Sequence, residues 1–237
     1  MNLTMKSILY ILLIPVLLCA CKIDDVDAPD STFEGKLVDA GGNGIQLEQG
    51  ASSARLKMEE LSWSNAPLPL FLNLKQDGSF INNKLFAGNY RVTPVEGPFY
   101  PVAEKTVDIQ GSTKLDFTVI PYLNVNWVGE PALNADKKLS VSFKFQSNPA
   151  PEGLNKPNPL DYQLFISTNQ YVGNNNWDNT AVGAVVPVTA AREGENITIT
   201  SSVPMKYSTT YYVRVGVRVN DTYKKYNYTT IKTVQVP

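Results

Sequence analysis

Thr210-Tyr-Tyr-Val-Arg-Val-Gly-Val-Arg-Val219 decides the fold class. Tyr211, Val213, Val215, Val217 and Val219 fall on every second position, with Tyr, Arg and Gly between them. Successive side chains of a β-strand point to opposite faces, so this spacing is that of a strand with one face in a core. Working outward, Leu139-Ser-Val-Ser-Phe-Lys-Phe145, Asp161-Tyr-Gln-Leu-Phe-Ile-Ser167, Asn196-Ile-Thr-Ile-Thr200 and Tyr228-Thr-Thr-Ile-Lys-Thr-Val-Gln-Val236 repeat the period. Turn-rich connections separate them, which is the rhythm of a sandwich.

The first half reads the same way. Phe33-Glu-Gly-Lys-Leu-Val-Asp39 alternates and runs into Ala40-Gly-Gly-Asn-Gly44, a tight turn of residues that accept positive φ. Ala54-Arg-Leu-Lys-Met-Glu-Glu-Leu61 alternates apolar with charged. Leu70-Phe-Leu-Asn-Leu74 leads into Gln76-Asp-Gly-Ser79, which we read as a hairpin turn to the strand beginning at Phe80. Lys84-Leu-Phe-Ala-Gly-Asn-Tyr-Arg-Val-Thr93 gives a turn and a strand, and residues 105–120 give one or two more. One strand ends at Ile120 and another starts near Leu123, so the expected architecture is all-β, with tandem β-sandwich modules over residues 32–121 and 122–237.

Residues 1–20 have the parts of a secretory signal. Lys6 is the positive start, Ser7-Ile-Leu-Tyr-Ile-Leu-Leu-Ile-Pro-Val-Leu-Leu18 is the apolar run, and small or compact residues follow. The run falls short of the roughly 20 residues that span a bilayer. Leu18-Cys19-Ala20-Cys21 resembles a bacterial lipobox, which implies lipidation of Cys21 and cleavage before it. Lys22-Ile-Asp-Asp-Val-Asp-Ala-Pro-Asp30 is too acidic to enter a core and reads as a solvated tether over residues 21–31. It also resembles the export signal of surface-exposed lipoproteins of Bacteroidota, which implies an outer-membrane, cell-surface location. Calcium held by Asp24, Asp25, Asp27 and Asp30 is the lesser reading, because no glycine turns the segment into a loop.

The composition removes whole classes of chemistry. There is no histidine, so Ser-His-Asp and Cys-His catalysis and His-ligated metals are excluded. The only cysteines are Cys19 and Cys21, and cleavage would discard the first, which leaves no disulfide and no zinc–thiolate site. Lys and Arg number 21 against 22 Asp and Glu, and the leader removes only Lys6. Such balance offers no grip on nucleic acid. No carboxylate pair stands in a context that suggests a raised pKa, and the chain is expected to be non-catalytic and without a cofactor or metal.

Binding remains. Asn169-Gln-Tyr-Val-Gly-Asn-Asn-Asn-Trp-Asp-Asn179 mixes aromatic rings with amides, as sugar-binding loops do. Its tryptophan is either pinned against its own module, the favoured state, or offered to a ligand. Tyr171, Asn175, Trp177 and Asp178 are the candidate glycan-binding residues. Trp63, Phe99 and Tyr100, among Pro67, Pro69, Pro98 and Pro101, read as aromatics closing the end of a sandwich.

Three resemblances extend this reading. Gly35-x-Leu37-x-Asp39, Asp77-Gly78-x-Phe80 and Leu85-x-Ala87-Gly88-x-Tyr90-x-Val92 resemble the prealbumin-like sandwich of carboxypeptidase regulatory-type domains. Met205-Lys-Tyr-Ser-Thr-Thr-Tyr211-Tyr-Val213-Arg-Val215 is similar to the fibronectin type III (immunoglobulin-like) pattern. That similarity implies that Tyr211 folds its hydroxyl back onto nearby backbone and that Trp127 is a buried core aromatic.

Taken with Asp24-Asp25-x-x-Ala28-Pro, Gln49-Gly50, Glu60-x-x-Trp63 and residues 77–99, the chain resembles domain-of-unknown-function family 3823 of Bacteroidota lipoproteins. Membership implies company with an outer-membrane transporter and a starch-utilisation-type binding lipoprotein (a SusC/SusD-type complex). It implies a role in capturing a polysaccharide or oligosaccharide, or in supporting that complex. The alternative is a protein-binding scaffold or adhesin-like lipoprotein that uses exposed strand edges.

Overall fold

The computed structural model describes residues 28–50, 52–64 and 66–237. The leader, Cys21 and the acidic residues Asp24, Asp25 and Asp27 lie outside the described residues. The first module runs β1 (Ser31–Val38), β2 (Arg55–Glu60), β3 (Leu70–Asn73), β4 (Ser79–Leu85), β5 (Gly88–Val95), β6 (Lys105–Ile109), β7 (Ser112–Lys114) and β8 (Phe117–Thr118). β1 sits between antiparallel β4 and the short parallel β7 and β8, and the facing sheet has the order β3-β2-β5-β6. The alternation places Phe33, Leu37, Phe80 and Phe117 from one sheet against Leu56, Met58, Val92 and Ile109 from the other, all buried. Each such side chain contributes about 1.5–3 kcal/mol by leaving water. Gly35 is required by space: a Cβ there would lie 1.9 Å from the Leu115 carbonyl oxygen.

One expectation about this module is corrected. The Asp77-Gly78 turn forms, with the Gly78 N–H donating to the Lys75 carbonyl at 3.0 Å and Gly78 at φ 80°. It does not close a hairpin. β3 pairs with β2 and β4 with β1, so the turn carries the chain from one sheet to the other.

The second module runs β9 (Leu123–Trp127), β10 (Ala132–Leu133), β11 (Leu139–Ser147), β12 (Pro159–Ser167), β13 (Val186–Pro187), β14 (Ile197–Thr200), β15 (Thr210–Val219), β16 (Tyr226–Tyr228) and β17 (Lys232–Gln235). β11 is flanked by β14 on one side and by β9 and β10 on the other. The second sheet has β13-β12-β15, with β16 and β17 sharing the far edge of β15. Every pairing is antiparallel. Phe143, Phe145, Leu164, Ile166, Val213 and Val215 fill the space between. The Tyr207 backbone N–H donates to the Tyr211 hydroxyl at 2.9 Å, and Met205 is buried in the same core. The stretch read as one strand from Tyr228 to Val236 is two, because the chain leaves the sheet between β16 and β17.

The modules meet through polar groups. Arg214, which has no solvent exposure, donates from Nη1 to the Leu47 carbonyl at 2.9 Å and from Nη2 to the Thr229 carbonyl at 3.2 Å. Its guanidinium lies 3.9 Å from the Tyr228 ring centroid. Glu48, also buried, accepts the backbone N–H groups of Asn174 at 2.7 Å and Asn175 at 3.2 Å, and the Tyr228 hydroxyl donates to it. Gln76 reaches the Val172 carbonyl at 3.0 Å. Burial pushes the Tyr228 phenol well above its usual value, with the Glu48 carboxylate adding to the effect. Burial also brings the Arg214 guanidinium down to about 10, so it stays cationic at neutral pH.

Candidate functional site

Beside this junction lies an open cleft of about 650 Å³. β9 builds one wall. Its alternation sends Leu123 and Val125 into the core and turns Asn124 and Asn126 outward, both exposed. Trp127 ends the strand at the cleft, and its indole N–H donates to the Thr230 carbonyl at 2.8 Å. The Lys232 ammonium sits 5.5 Å from the centroid of that ring.

The opposite wall is the glycine-rich turn that follows β1. Asp39 holds it by accepting the backbone N–H groups of Gly41 at 2.8 Å and Asn43 at 2.9 Å. That arrangement presents Asn43 and Gln46 to the cleft. Asn227, buried beneath, is satisfied on both sides: its amide donates to Pro98 O at 2.9 Å and its carbonyl accepts Leu123 N–H at 3.2 Å.

The result is an open cleft lined by an indole and by side-chain amides from both modules, with the Asp39 carboxylate in the turn wall. Sugar hydroxyls need paired donors and acceptors, and the C–H face of a pyranose needs an aromatic plane. Asn, Gln and Trp supply these without a net charge. Trp127 is thus corrected from a buried core aromatic: it packs partly on the core and also lines the cleft. The sequence carried a usable signal in Asn124-Val-Asn126, where alternation alone turns two amides outward beside a tryptophan.

The loop of residues 169–179 has a different role. Trp177 is partly buried and meets Phe165 edge-on at 5.8 Å, so it is in the pinned state. Asp178 accepts the N–H and hydroxyl of Thr180 at 2.9 and 2.6 Å, a turn contact that holds its carboxyl below the usual range. Asn175 lends its backbone to Glu48 and lines a separate 240 Å³ cavity with Ser53, Arg218 and Lys225. Tyr171 is 46% exposed but stands apart from the cleft. The four candidates are not brought together in one site. Phe99 and Tyr100 are buried as expected, whereas Trp63 is 71% exposed and is no sandwich-closing plug.

Comparison with known proteins follows the same division. The family model described as "Protein of unknown function (DUF3823) N-terminal domain" matches residues 31–120, and "Domain of unknown function (DUF3823_C)" matches residues 130–233. A DUF3823 family protein of Bacteroides uniformis superposes with a TM-score of 0.78 at 25% identity, covering 88% of this chain and all (100%) of that one. A second Bacteroides uniformis protein, whose name proposes carbohydrate binding, gives 0.69 at 22% identity over 88% of this chain and 100% of its own. A DUF3823 family protein of Parabacteroides merdae gives 0.69 at 19% over the same shares, 88% and 100%. The last two are likenesses of fold. No curated protein matches the sequence.

Proposed function

The chain belongs to the DUF3823 family, and from that premise and the shape of the cleft we propose that it is a non-catalytic glycan-binding lipoprotein. In this reading Cys21 carries the lipid, the protein stands on the outer face of the outer membrane, and an oligosaccharide lies in the cleft between the modules. It works beside a transporter and a second binding lipoprotein.

The observation that carries the binding reading is the cleft itself: Trp127, Asn124, Asn126, Asn43 and Gln46 converge there from two modules. No single module presents that set alone. The name of the Bacteroides uniformis relative, which proposes carbohydrate binding, supports the same reading. Amides on both walls can bond both donor and acceptor hydroxyls, and Lys232 fixes the ring they flank.

Affinity electrophoresis through gels containing different polysaccharides tests it. At least one glycan is expected to retard the protein, and Trp127→Ala should abolish the retardation. Because Trp127 also touches the core, the double variant Asn124→Ala/Asn126→Ala provides the second arm. Both side chains are exposed, so the fold should persist by circular dichroism while retardation falls. A double variant retarded as strongly as the parent would sink the cleft as the binding site.

A further inference from the structure

We infer that the end of the first module carrying Trp63, Leu68, Leu70 and Phe86 is bedded in the membrane interface as a second contact beside the lipid. This inference rests on the lipoprotein reading above. The four side chains are exposed to 71%, 93%, 46% and 40%, and together with Met58, Leu85 and Tyr90 they line an open apolar hollow of about 520 Å³. Its polar members are Glu60 and Lys84. Pro67 and Pro69 flank Leu68 and stiffen the segment that presents it. Water-exposed apolar groups gathered in this way mark a contact surface.

The path of the chain says what covers it. β1 begins at Ser31, which is paired with Leu85, the neighbour of Phe86. The segment from Cys21 therefore joins the module beside the apolar hollow. Ten residue steps lead from Cys21 to Ser31, and an extended chain covers at most about 3.3–3.6 Å per step. An acylated Cys21 thus holds this end within about 35 Å of the bilayer. The other end of β1 turns into the wall of the cleft, next to the second module. The apolar end faces the lipid and the cleft faces away.

Indole and phenyl rings with leucine suit the boundary between headgroups and acyl chains, where apolar area is buried and polar edges stay wet. In the lipoprotein reading the lipid on Cys21 already supplies the attachment. The collar adds orientation: two contacts fix the tilt of the protein where one leaves it undetermined.

The test uses the full acylated protein in phosphatidylethanolamine–phosphatidylglycerol vesicles, with acyl chains either plain or brominated. Bromine quenches tryptophan only within the bilayer. The expected result is quenching in the parent protein that is lost in Trp63→Phe, with Trp127 and Trp177 unquenched. Leu68→Asp should weaken the quenching, and at 93% exposure it leaves the fold intact. Equal quenching of the parent and Trp63→Phe overturns the collar, as does shielding of Trp63 in lipid-free protein by oligosaccharide or by self-association. Mass spectrometry of the same sample separates the two ideas. An acylated Cys21 with Trp63 unquenched refutes the collar alone, and an unmodified Cys21 refutes the lipoprotein reading and the collar with it.

Discussion

Glu48→Gln isolates what the polar junction contributes. The carboxylate takes three donors from the second module: the N–H groups of Asn174 and Asn175 and the Tyr228 hydroxyl. Glutamine keeps the volume and one acceptor oxygen. It replaces the other with an NH₂ that meets a backbone N–H donor against donor, whereas the Tyr228 hydroxyl, itself an acceptor, can turn to take a bond from it. Hydrogen bonds to a charged group contribute about 1.5–3 kcal/mol each; one is lost and the two that remain fall to the roughly 1 kcal/mol of a neutral pair. Against this, a neutral amide costs less to bury than a carboxylate. The neighbouring Arg214 also loses its nearest anion while remaining buried and cationic.

The balance is a loss of about 3 kcal/mol, which for a chain of this size lowers Tm by about 6–12 °C. Scanning calorimetry should also show the single transition of the parent broadening or splitting, because the modules no longer unfold as a unit. Glu130→Gln is the control. Its side chain is 81% exposed beside Lys232, and the change should stay within about 0.5 kcal/mol. A double-mutant cycle with Tyr228→Phe should return a coupling energy of about 1–2 kcal/mol. A Glu48→Gln protein that melts within 2 °C of the parent in one sharp transition refutes the reasoning, with ~2 °C taken as below the smallest shift the lost bonds allow.

Two further outcomes are expected. Tyr211→Phe removes the acceptor of the Tyr207 N–H and should cost about 1–2 kcal/mol in urea unfolding, with no effect on glycan retardation. The hydrogen bond from Arg55 holds the Glu96 carboxyl below its ordinary value of 4.5. A carboxyl depressed in the folded state stabilises above its unfolded pKa and loses that stabilisation as pH falls through the folded one. Arg55→Leu should therefore flatten the decline in stability just below pH 4.5, read as Tm against pH. An unchanged slope would contradict the pairing.

Strands and turns were legible because each is decided locally. Alternation over β1, β2, β11 and β15 names a buried face without knowledge of the partner strand, and Asp77-Gly78 names a chain reversal. What such a turn cannot name is the strand paired beyond it, so the jump between sheets at Lys75–Ser79 was hidden. Arg214 was hidden for a related reason. It lies on the face of β15 opposite Val213 and Val215, which alternation assigns to solvent. That face is covered by Leu47 and the loop of residues 169–179, both remote in sequence. Trp63 and Trp177 make the point together. Both sit in strand-free segments, yet one is exposed and the other is pinned. The difference is whether another element, here Phe165, lies over the loop.

The covered face of β15 bears on function. Interfaces between domains of one chain are commonly polar and mobile. Here the groups that cross the junction are the Arg214 guanidinium, bonded to the Leu47 carbonyl, and the Glu48 carboxylate, gripping consecutive backbone N–H groups, and these directional bonds tie the module orientation to their geometry. The cleft takes one wall from each module, so its width is set by that orientation. β1 spans eight residues, about 26 Å at 3.3 Å per residue, between the Ser31 end and the turn that forms the cleft wall. Glu48 lies outside the cleft lining. If junction geometry sets the cleft, Glu48→Gln weakens glycan retardation at temperatures well below its Tm. If the walls are independent, retardation follows the folded fraction alone.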